Sequence, residues 1–236
     1  MGGRAIAVPC DVTDEAAVKT TVRTVVERLG ALDVAVANAG VGVNGSFEAL
    51  TEADWRRQFE VNLFGVVHTA RHALPALHQR GGRLALVGSA ASMVCVPGTS
   101  AYVASKFAVR AIGLTLSQEL FGTGVSCTTV HPGFVATDLS RVDNEGHFDP
   151  ARTDPRPRVL MWSPEEAAIP IARAIHDRRI ELVFTGHGKV GAWLGRHAPG
   201  IVYLGMTRFR TATSRGWVAR KQWPAGSAEP ISRRAR

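Results

Sequence analysis

The stretch "GSAASMVCVPGTSAYVASKFAV", residues 88–109, carries the clearest indication of how this chain folds and what it does. Tyr102 and Lys106 are four residues apart, so a helix would place both polar heads on one face. A nearby ammonium favours the phenolate, which lets a tyrosine exchange a proton closer to neutral pH. A lysine whose stem packs beside a half-buried tyrosine has the same spacing, so the pair alone leaves packing and chemistry both open.

Outward from this stretch, short apolar runs alternate with longer segments of helical period. That alternation is typical of βαβ units and predicts an α/β fold, a doubly wound parallel sheet. The expected strands are residues 5–8, 32–37, 83–88, 125–131 and 181–185. Four helices are expected: one capped by Thr13 and stopped by Gly30, one from near Thr51, one after Ser100, and one capped by Ser163 before Pro164.

Composition narrows the class of protein. With 236 residues, 45% of them hydrophobic and 20% charged, we expect one domain with a sizeable core. The start of the chain does not read as a secretion signal, and no apolar run is long enough to predict a membrane span. Three widely spaced cysteines, Cys10, Cys95 and Cys127, indicate neither a disulfide framework nor a metal site, which favours the cytoplasm.

The positive charge is concentrated at the C-terminal end. Of the formal net charge of +8, the residues after Thr185 carry ten Lys or Arg and one acid, so the rest is almost neutral. We therefore expect a domain over 1–185 and a basic C-terminal extension over 186–236, disordered from about Ser214. Its apolar residues, from Trp193 to Met206, fit three roles: lining a substrate pocket, contacting another subunit, or weak contact with a membrane surface. Nucleic-acid binding is not expected, because no recognisable module accompanies the basic residues.

A long polar segment runs from Leu139 to Trp162 and contains three prolines without a sustained period. In a compact domain a loop of this length is typical of a lid or a substrate-binding segment, with disorder as the alternative.

Further motifs surround Tyr102 and Lys106 in a fixed order. Ser89 ends a predicted strand thirteen residues before Tyr102. The others are "CDVTD" (10–14), "ANAG" (37–40), "VNLFG" (61–65) and "HPGFVAT" (131–137). Together they resemble the short-chain dehydrogenase/reductase family, with Ala37 in place of the first Asn of its NNAG motif. The resemblance implies a Rossmann-like domain, and a hydride exchanged between NAD or NADP and a hydroxyl or carbonyl group.

The resemblance also implies a role for each catalytic residue. Tyr102 would be the general acid or base, and Lys106 would lower its pKa and bind the nicotinamide ribose. Ser89 would hold the substrate oxygen, and Asn62 would fix a water that links Lys106 to solvent. Besides Tyr102 and Lys106, the residues implied to bind the cofactor are Asp11, Val12, Asn38, Ala39, Gly40, Pro132, Gly133, Val135 and Thr137.

The substrate pocket would be lined by residues such as Met93, Val94, Phe134, Leu139 and Met161. Such a lining favours an alcohol or ketone with a small or lipophilic body. The family resemblance further implies a homodimer or homotetramer.

The chain departs from the family pattern at its N-terminus. The family begins with a strand, a glycine-rich turn and a helix that bind the pyrophosphate, and "MGGRAIAVPCDV" resembles only the third strand. We therefore expect a domain incomplete at the N-terminus. In it, either residues 5–8 pair directly with 32–37, or the sheet keeps an exposed edge and the first helix loses its support.

Two accounts of that departure remain. The printed start is internal to a longer product that is a working enzyme, or the chain is an impaired remnant that serves as a binding or regulatory subunit. The first is favoured because all the catalytic residues are present. Preference between NAD and NADP is unreadable, because the residue that selects between them follows the absent second strand.

Overall fold

The structure is a computed structural model that describes residues 3–217, with side chains as far as Arg208. The strands are β1 (Val34–Ala37), β2 (Arg83–Val87), β3 (Ser126–His131) and β4 (Glu181–Val183). The helices are α1 (Glu15–Leu29), α2 (Glu52–Phe59), α3 (Gly65–Arg80), α4 (Ser100–Glu119), α5 (Pro164–His176), α6 (Gly186–His197) and α7 (Pro199–Trp217).

The four strands form one parallel sheet in the order β1-β2-β3-β4. Each crossover contains a helix, because parallel neighbours cannot be joined by a tight turn. Alternate strand residues face opposite sides of the sheet: Leu84 and Leu86 join the core beneath α3 and α4, whereas Ala85 and Val130 are buried outside that cluster. Since α5 contacts β2 and β3, helices cover both faces and the Rossmann-like doubly wound α/β architecture is confirmed.

The predicted helix near Thr51 forms with a change of pitch. Thr51 and Asp54 make a reciprocal capping box at the start of α2. Between α2 and α3 the helix passes through a π-helical turn, Glu60–Phe64, without leaving the helical path. Such turns often mark functional sites, and this one carries Asn62.

The N-terminal part differs from the prediction. Residues 5–8 form no strand, so that assignment is wrong: a four-residue apolar run becomes a strand only where a neighbour provides ladder hydrogen bonds. Among the described residues β1 is an edge strand, with Val34 and Val36 42% and 46% exposed. The first helix nevertheless keeps support, because α1 packs against α3.

Two other helix starts can be compared with the prediction. The predicted cap of α1 is wrong by one residue, since the Asp14 carboxylate accepts from Ala16 N and Ala17 N, while Thr13 donates to Asp11. Ser163 caps α5 as predicted, with Pro164 in the first turn.

Beyond β4 the extension begins as helices α6 and α7. Disorder was predicted from about Ser214. The part of that prediction beyond Trp217 lies outside the described residues. Over the part of the chain that the structure describes, no helix has both the length and the apolar character needed to cross a membrane. Between β3 and α5, residues 139–162 hold only two short 3₁₀ turns, Asp138–Arg141 and Arg158–Leu160.

Candidate active site

Ser89 lies at the carboxyl end of β2, where the strand turns into a short 3₁₀ helix, Ala90–Ser92. Its hydroxyl oxygen accepts from Ala91 N at 3.1 Å. The same hydroxyl forms a hydrogen bond with Tyr102 that favours the phenolate. The Ser89 hydroxyl is therefore held by the backbone and lies within hydrogen-bonding reach of the Tyr102 phenol.

Tyr102 and Lys106 share one face of α4, as their spacing predicts. Lys106 Nζ lies 5.9 Å from the centroid of the Tyr102 ring and donates to Val87 O at 2.9 Å. The lysine is only 5% exposed, and burial lowers its pKa to about 8. This is a desolvated ammonium held next to a phenol by the end of β2.

The expected lowering of the Tyr102 pKa is not what the structure shows. Burial raises the pKa of Tyr102, and the hydrogen bond with Ser89 and the charge of Arg156 only partly oppose it. Lys106 is bonded to the Val87 carbonyl and does not dominate the phenol's environment. In this arrangement Tyr102 is a proton donor rather than a phenolate.

Asn62 is fully buried in the π-helical turn. Its Oδ1 accepts from Val41 N at 2.7 Å and its Nδ2 donates to Val41 O at 3.0 Å. Gln58, four residues earlier, accepts from Val43 N and donates to Val41 O. The two amides therefore hold residues 41–43 against α2 and the π-helical turn. Ser105 Oγ, 3.3 Å from Asn62 Nδ2, links that turn to α4, the helix of Tyr102 and Lys106.

Sequence reasoning missed Gln58 and Ser105. The available signal was the spacing of Gln58 and Asn62, which are one helical turn apart. Two amides buried on the same helical face need hydrogen-bond partners nearby.

The segment after β1 comes close to the lysine. A Cβ added at Gly40 would lie 3.4 Å from Asn62 Oδ1 and 3.7 Å from Lys106 Nζ. Nearby, a cavity of about 150 Å³ is lined partly by Val12, Asn38 and Ala39. The structure thus groups four of the predicted cofactor-binding residues along the carboxyl end of β1.

The turn after β3 borders the candidate site on the side opposite the segment after β1. Pro132 O accepts from Ala90 N at 2.8 Å, which ties the turn to the segment after Ser89. Gly133 has no room for a side chain, because a Cβ there would lie 2.3 Å from Nε2 of His187. That nitrogen accepts from Phe134 N at 3.0 Å, and burial lowers the pKa of His187. Helix α6 is therefore docked on the turn through a neutral histidine.

Not every residue predicted to bind the cofactor lies within this buried group. Asp11 is exposed and accepts from Thr13 N and Thr13 Oγ1. Thr137 is also exposed. Val135 is part of a bridge with Trp162, which places the end of the long loop beside the turn.

A partly buried cluster of ion pairs contacts the backbone of Ser89 through the His131 ring. His131 is fully buried and donates from Nδ1 to Ser89 O at 3.1 Å, while its Nε2 lies 3.0 Å from Glu181 Oε1. Glu181 also pairs with Arg110 and Arg196. The His131 ring and then Arg110 hold the pKa of Glu181 well below its usual range. This cluster was not predictable from sequence pattern, because it joins residues up to 86 positions apart.

Comparisons with known proteins agree with this geometry. The sequence profile described as short chain dehydrogenase matches residues 1–147. The chain is 31% identical over 183 residues to the ketoacyl reductase HetN of a Nostoc strain, covering 77% of this chain and 61% of HetN. The chain spans about half to three-fifths of the length of the curated relatives it matches.

Solved structures show the same likeness. A short-chain dehydrogenase from Streptomyces avermitilis has a TM-score of 0.67 at 28% identity, over 89% of this chain and 80% of that one. An alcohol dehydrogenase from the archaeon Thermococcus sibiricus, solved with 5-hydroxy-NADP, has a TM-score of 0.63 at 28% identity, over 75% of this chain and 72% of that one.

Proposed function

Because this chain belongs to the short chain dehydrogenase family, we propose that it is an NAD(P)-dependent oxidoreductase acting on the carbonyl or hydroxyl group of a small molecule. The observation that carries the proposal is the hydrogen-bonded Ser89 and Tyr102 pair, with a buried Lys106 on the same face of the tyrosine helix. A serine, a tyrosine and a desolvated lysine together have no packing role that apolar side chains would not fill better.

Ser89 and Tyr102 would act on the substrate oxygen. In reduction, Ser89 donates a hydrogen bond to the carbonyl oxygen and Tyr102 Oη gives it a proton. In oxidation the phenol first loses its proton to solvent, and the resulting phenolate removes the hydroxyl proton. The raised pKa of Tyr102 keeps the proton on the phenol until the reaction draws it away.

The residues present fit a nicotinamide cofactor, which supplies the hydride that no side chain can provide. The cavity beside Val12, Asn38 and Ala39 suits the adenosine end. Gly40 has no side chain at the point where a Cβ would lie 3.7 Å from Lys106 Nζ, so the ammonium would be able to bind ribose hydroxyls there. Pro132, Gly133 and Val135 would edge the nicotinamide, and Asp11 and Thr137 remain proposed contacts.

The printed names of similar proteins support this substrate class. HetN is named a ketoacyl reductase, and the Thermococcus sibiricus protein is an alcohol dehydrogenase solved with an NADP derivative. We infer an alcohol or ketone as substrate and NAD or NADP as cofactor for this chain too.

We also propose a cytoplasmic location and a homodimer or homotetramer. The cysteines that the structure describes are all free, which suits a reducing compartment. Phe64, Phe107 and Phe121 are 45%, 39% and 89% exposed along the edge formed by the π-helical turn and α4. Light scattering after gel filtration measures the assembly directly.

Fluorescence titration with NADH and NADPH, followed by turnover assays on a panel of ketones, tests the function. We expect saturable binding of at least one dinucleotide and its oxidation in the presence of a ketone. Binding without turnover of any ketone or alcohol would favour a binding or regulatory subunit, and no binding would exclude the proposal.

A further inference from the structure

The segment 139–162 is fastened beside the active site at both ends. At its start, Asn44 N donates to Asn144 Oδ1 at 3.0 Å, and Asn144 Nδ2 donates to Asn44 O at 2.9 Å. At its end, Trp162 N donates to Phe134 O at 3.0 Å. The loop therefore forms a fixed wall of the active site, between the segment after β1 and the turn after β3.

This wall places one cation beside the catalytic tyrosine. The Arg156 guanidinium carbon lies 5.9 Å from the centroid of the Phe134 ring. The positive charge of Arg156 also lowers the pKa of Tyr102, against the effect of burial. The Arg156 side chain is only 19% exposed, so its charge is largely shielded from bulk water.

Asp154 fixes the direction of Arg156. Arg156 Nε donates to both oxygens of Asp154, at 2.8 and 3.0 Å, and Nη2 donates to Oδ2 at 2.5 Å. These bonds lower the pKa of Asp154 to about 2, so the pair stays ionised. The bonds to Asp154 use Nε and Nη2, one edge of the guanidinium. In the part of the chain that the structure describes, Nη1 has no protein acceptor.

We propose that Arg156 determines substrate specificity by binding the carboxylate of an oxo acid or hydroxy acid through Nη1, which aligns the reactive carbon with Ser89 and Tyr102. The inference rests on the proposed oxidoreductase function and names its substrate class. Phe134, whose ring lies beside Arg156, and Met161 in the same loop as Arg156 favour an apolar body between the two polar ends of such a substrate.

The chemistry of the guanidinium supports an anionic ligand. Arginine offers planar, permanently charged donors that match a carboxylate, and such charge-assisted bonds are stronger than neutral ones. An arginine that only stabilised the loop would be satisfied by Asp154 alone and would gain nothing from a position near Tyr102. Asp154 holds the fork in place without using all of its donors.

The test compares acids with their neutral esters. Substrates are 3-oxobutanoate, 4-oxopentanoate and 4-oxocyclohexanecarboxylate, each with its methyl ester, and the variants are Arg156→Gln and Arg158→Gln. Arg158 lies in the same loop and is exposed, so its variant removes the same charge away from the pocket. We expect the wild type and Arg158→Gln to prefer the best acid over its ester about 10- to 100-fold in kcat/KM, and Arg156→Gln to lose that preference.

The outcomes separate this proposal from the proposed function. The role of Arg156 is overturned if kcat/KM falls equally for acids and esters in Arg156→Gln. It is also overturned if the wild type prefers esters. In both cases ketones are turned over, so the oxidoreductase function stands. If neither acids nor esters are turned over, the function fails for this class. Calorimetric titration of 4-oxocyclohexanecarboxylate then decides: binding that Arg156→Gln abolishes supports the proposal, whereas equal binding or none contradicts it.

Discussion

Tyr102 is the residue on which the proposed chemistry depends most. Replacing it with phenylalanine removes the proton donor and keeps the ring, so kcat should fall about 10²- to 10⁴-fold while dinucleotide affinity changes little. Steady-state kinetics and a fluorescence titration measure the two effects. The chain contains one other tyrosine, Tyr203, which is 73% exposed, and Tyr203→Phe is the matched control. Undiminished turnover by Tyr102→Phe would remove the tyrosine from the mechanism.

Lys106 shows the cost of a buried charge. Its pKa is lowered to about 8 in the folded protein from 10.5, so the unfolded chain binds the proton more tightly and the lysine destabilises the fold below pH 8. Lys106→Met should therefore raise the free energy of unfolding at pH 7 by about 2 kcal/mol, after allowance for the lost bond to Val87 O.

Denaturant titrations from pH 7 to 10.5 check this prediction. The gain of Lys106→Met over the wild type should shrink as the pH rises from 8 to 10.5, because the wild-type penalty disappears there. Comparing the two proteins at each pH cancels the titration of Cys127, whose pKa burial raises to about 12. A constant difference, or a less stable variant throughout, would contradict the account of Lys106.

Individual residues were predictable where the signal was local. The i, i+4 spacing on one helix predicted that Lys106 lies beside Tyr102, and the family resemblance implied that Ser89 joins them. Arg156 was not predictable, because its position depends on how a 24-residue loop is fastened to Asn44 and Phe134. The pKa of Tyr102 was also beyond the sequence, since it depends on burial and on where the Lys106 bond is directed.

At the scale of elements, the cluster around Glu181 joins β3, β4, α4 and α6. Glu181 receives Arg110 Nε at 2.6 Å, His131 Nε2 at 3.0 Å and Arg196 Nη2 at 3.1 Å. Glu181→Gln breaks these partly buried pairs and should lower the free energy of unfolding at pH 7 by about 2 kcal/mol. The control is Glu52→Gln, which removes an exposed pair with Arg56 and should change stability by less than about 0.5 kcal/mol.

The pH dependence of the same variant gives a second check. The pKa of Glu181 is lowered in the folded state from 4.5, so its contribution is present above that value and is lost as the pH falls below it. The difference between the wild type and Glu181→Gln should therefore narrow between pH 4.5 and lower pH. A difference that stays constant would mean that the carboxylate charge is not what stabilises the junction.

Elements were predictable where hydrophobic period and capping agreed. Four of the five predicted strands form, and Ser163 caps its helix as expected. Residues 5–8 have the same apolar character as the others, yet they form no strand because strand formation depends on a neighbour that sequence pattern does not reveal. The π-helical turn at Asn62 was likewise invisible, since an amphipathic period continues through it.

At the scale of the whole molecule, the sheet brings together segments that begin near residues 38, 62, 89, 102 and 132. Their meeting at the carboxyl ends of parallel strands is the usual location of a binding crevice in such folds. The parallel sheet was predictable from the alternation of elements, and the family motifs marked the segments that follow its strands. The closing of the site by α6 through His187 was not, because nothing in the basic extension indicates which surface it covers.

The proposed hydride transfer is tested most directly by following deuterium from reduced dinucleotide that carries two deuterium atoms at C4 to the carbonyl carbon of 4-oxocyclohexanecarboxylate or its methyl ester. Both dinucleotides are incubated with the wild type and with Tyr102→Phe, and the alcohol product is examined by NMR. We expect deuterium at the carbinol carbon with the wild type and at least a 100-fold slower transfer with the variant. No transfer by the wild type, or equal transfer by both proteins, would contradict it.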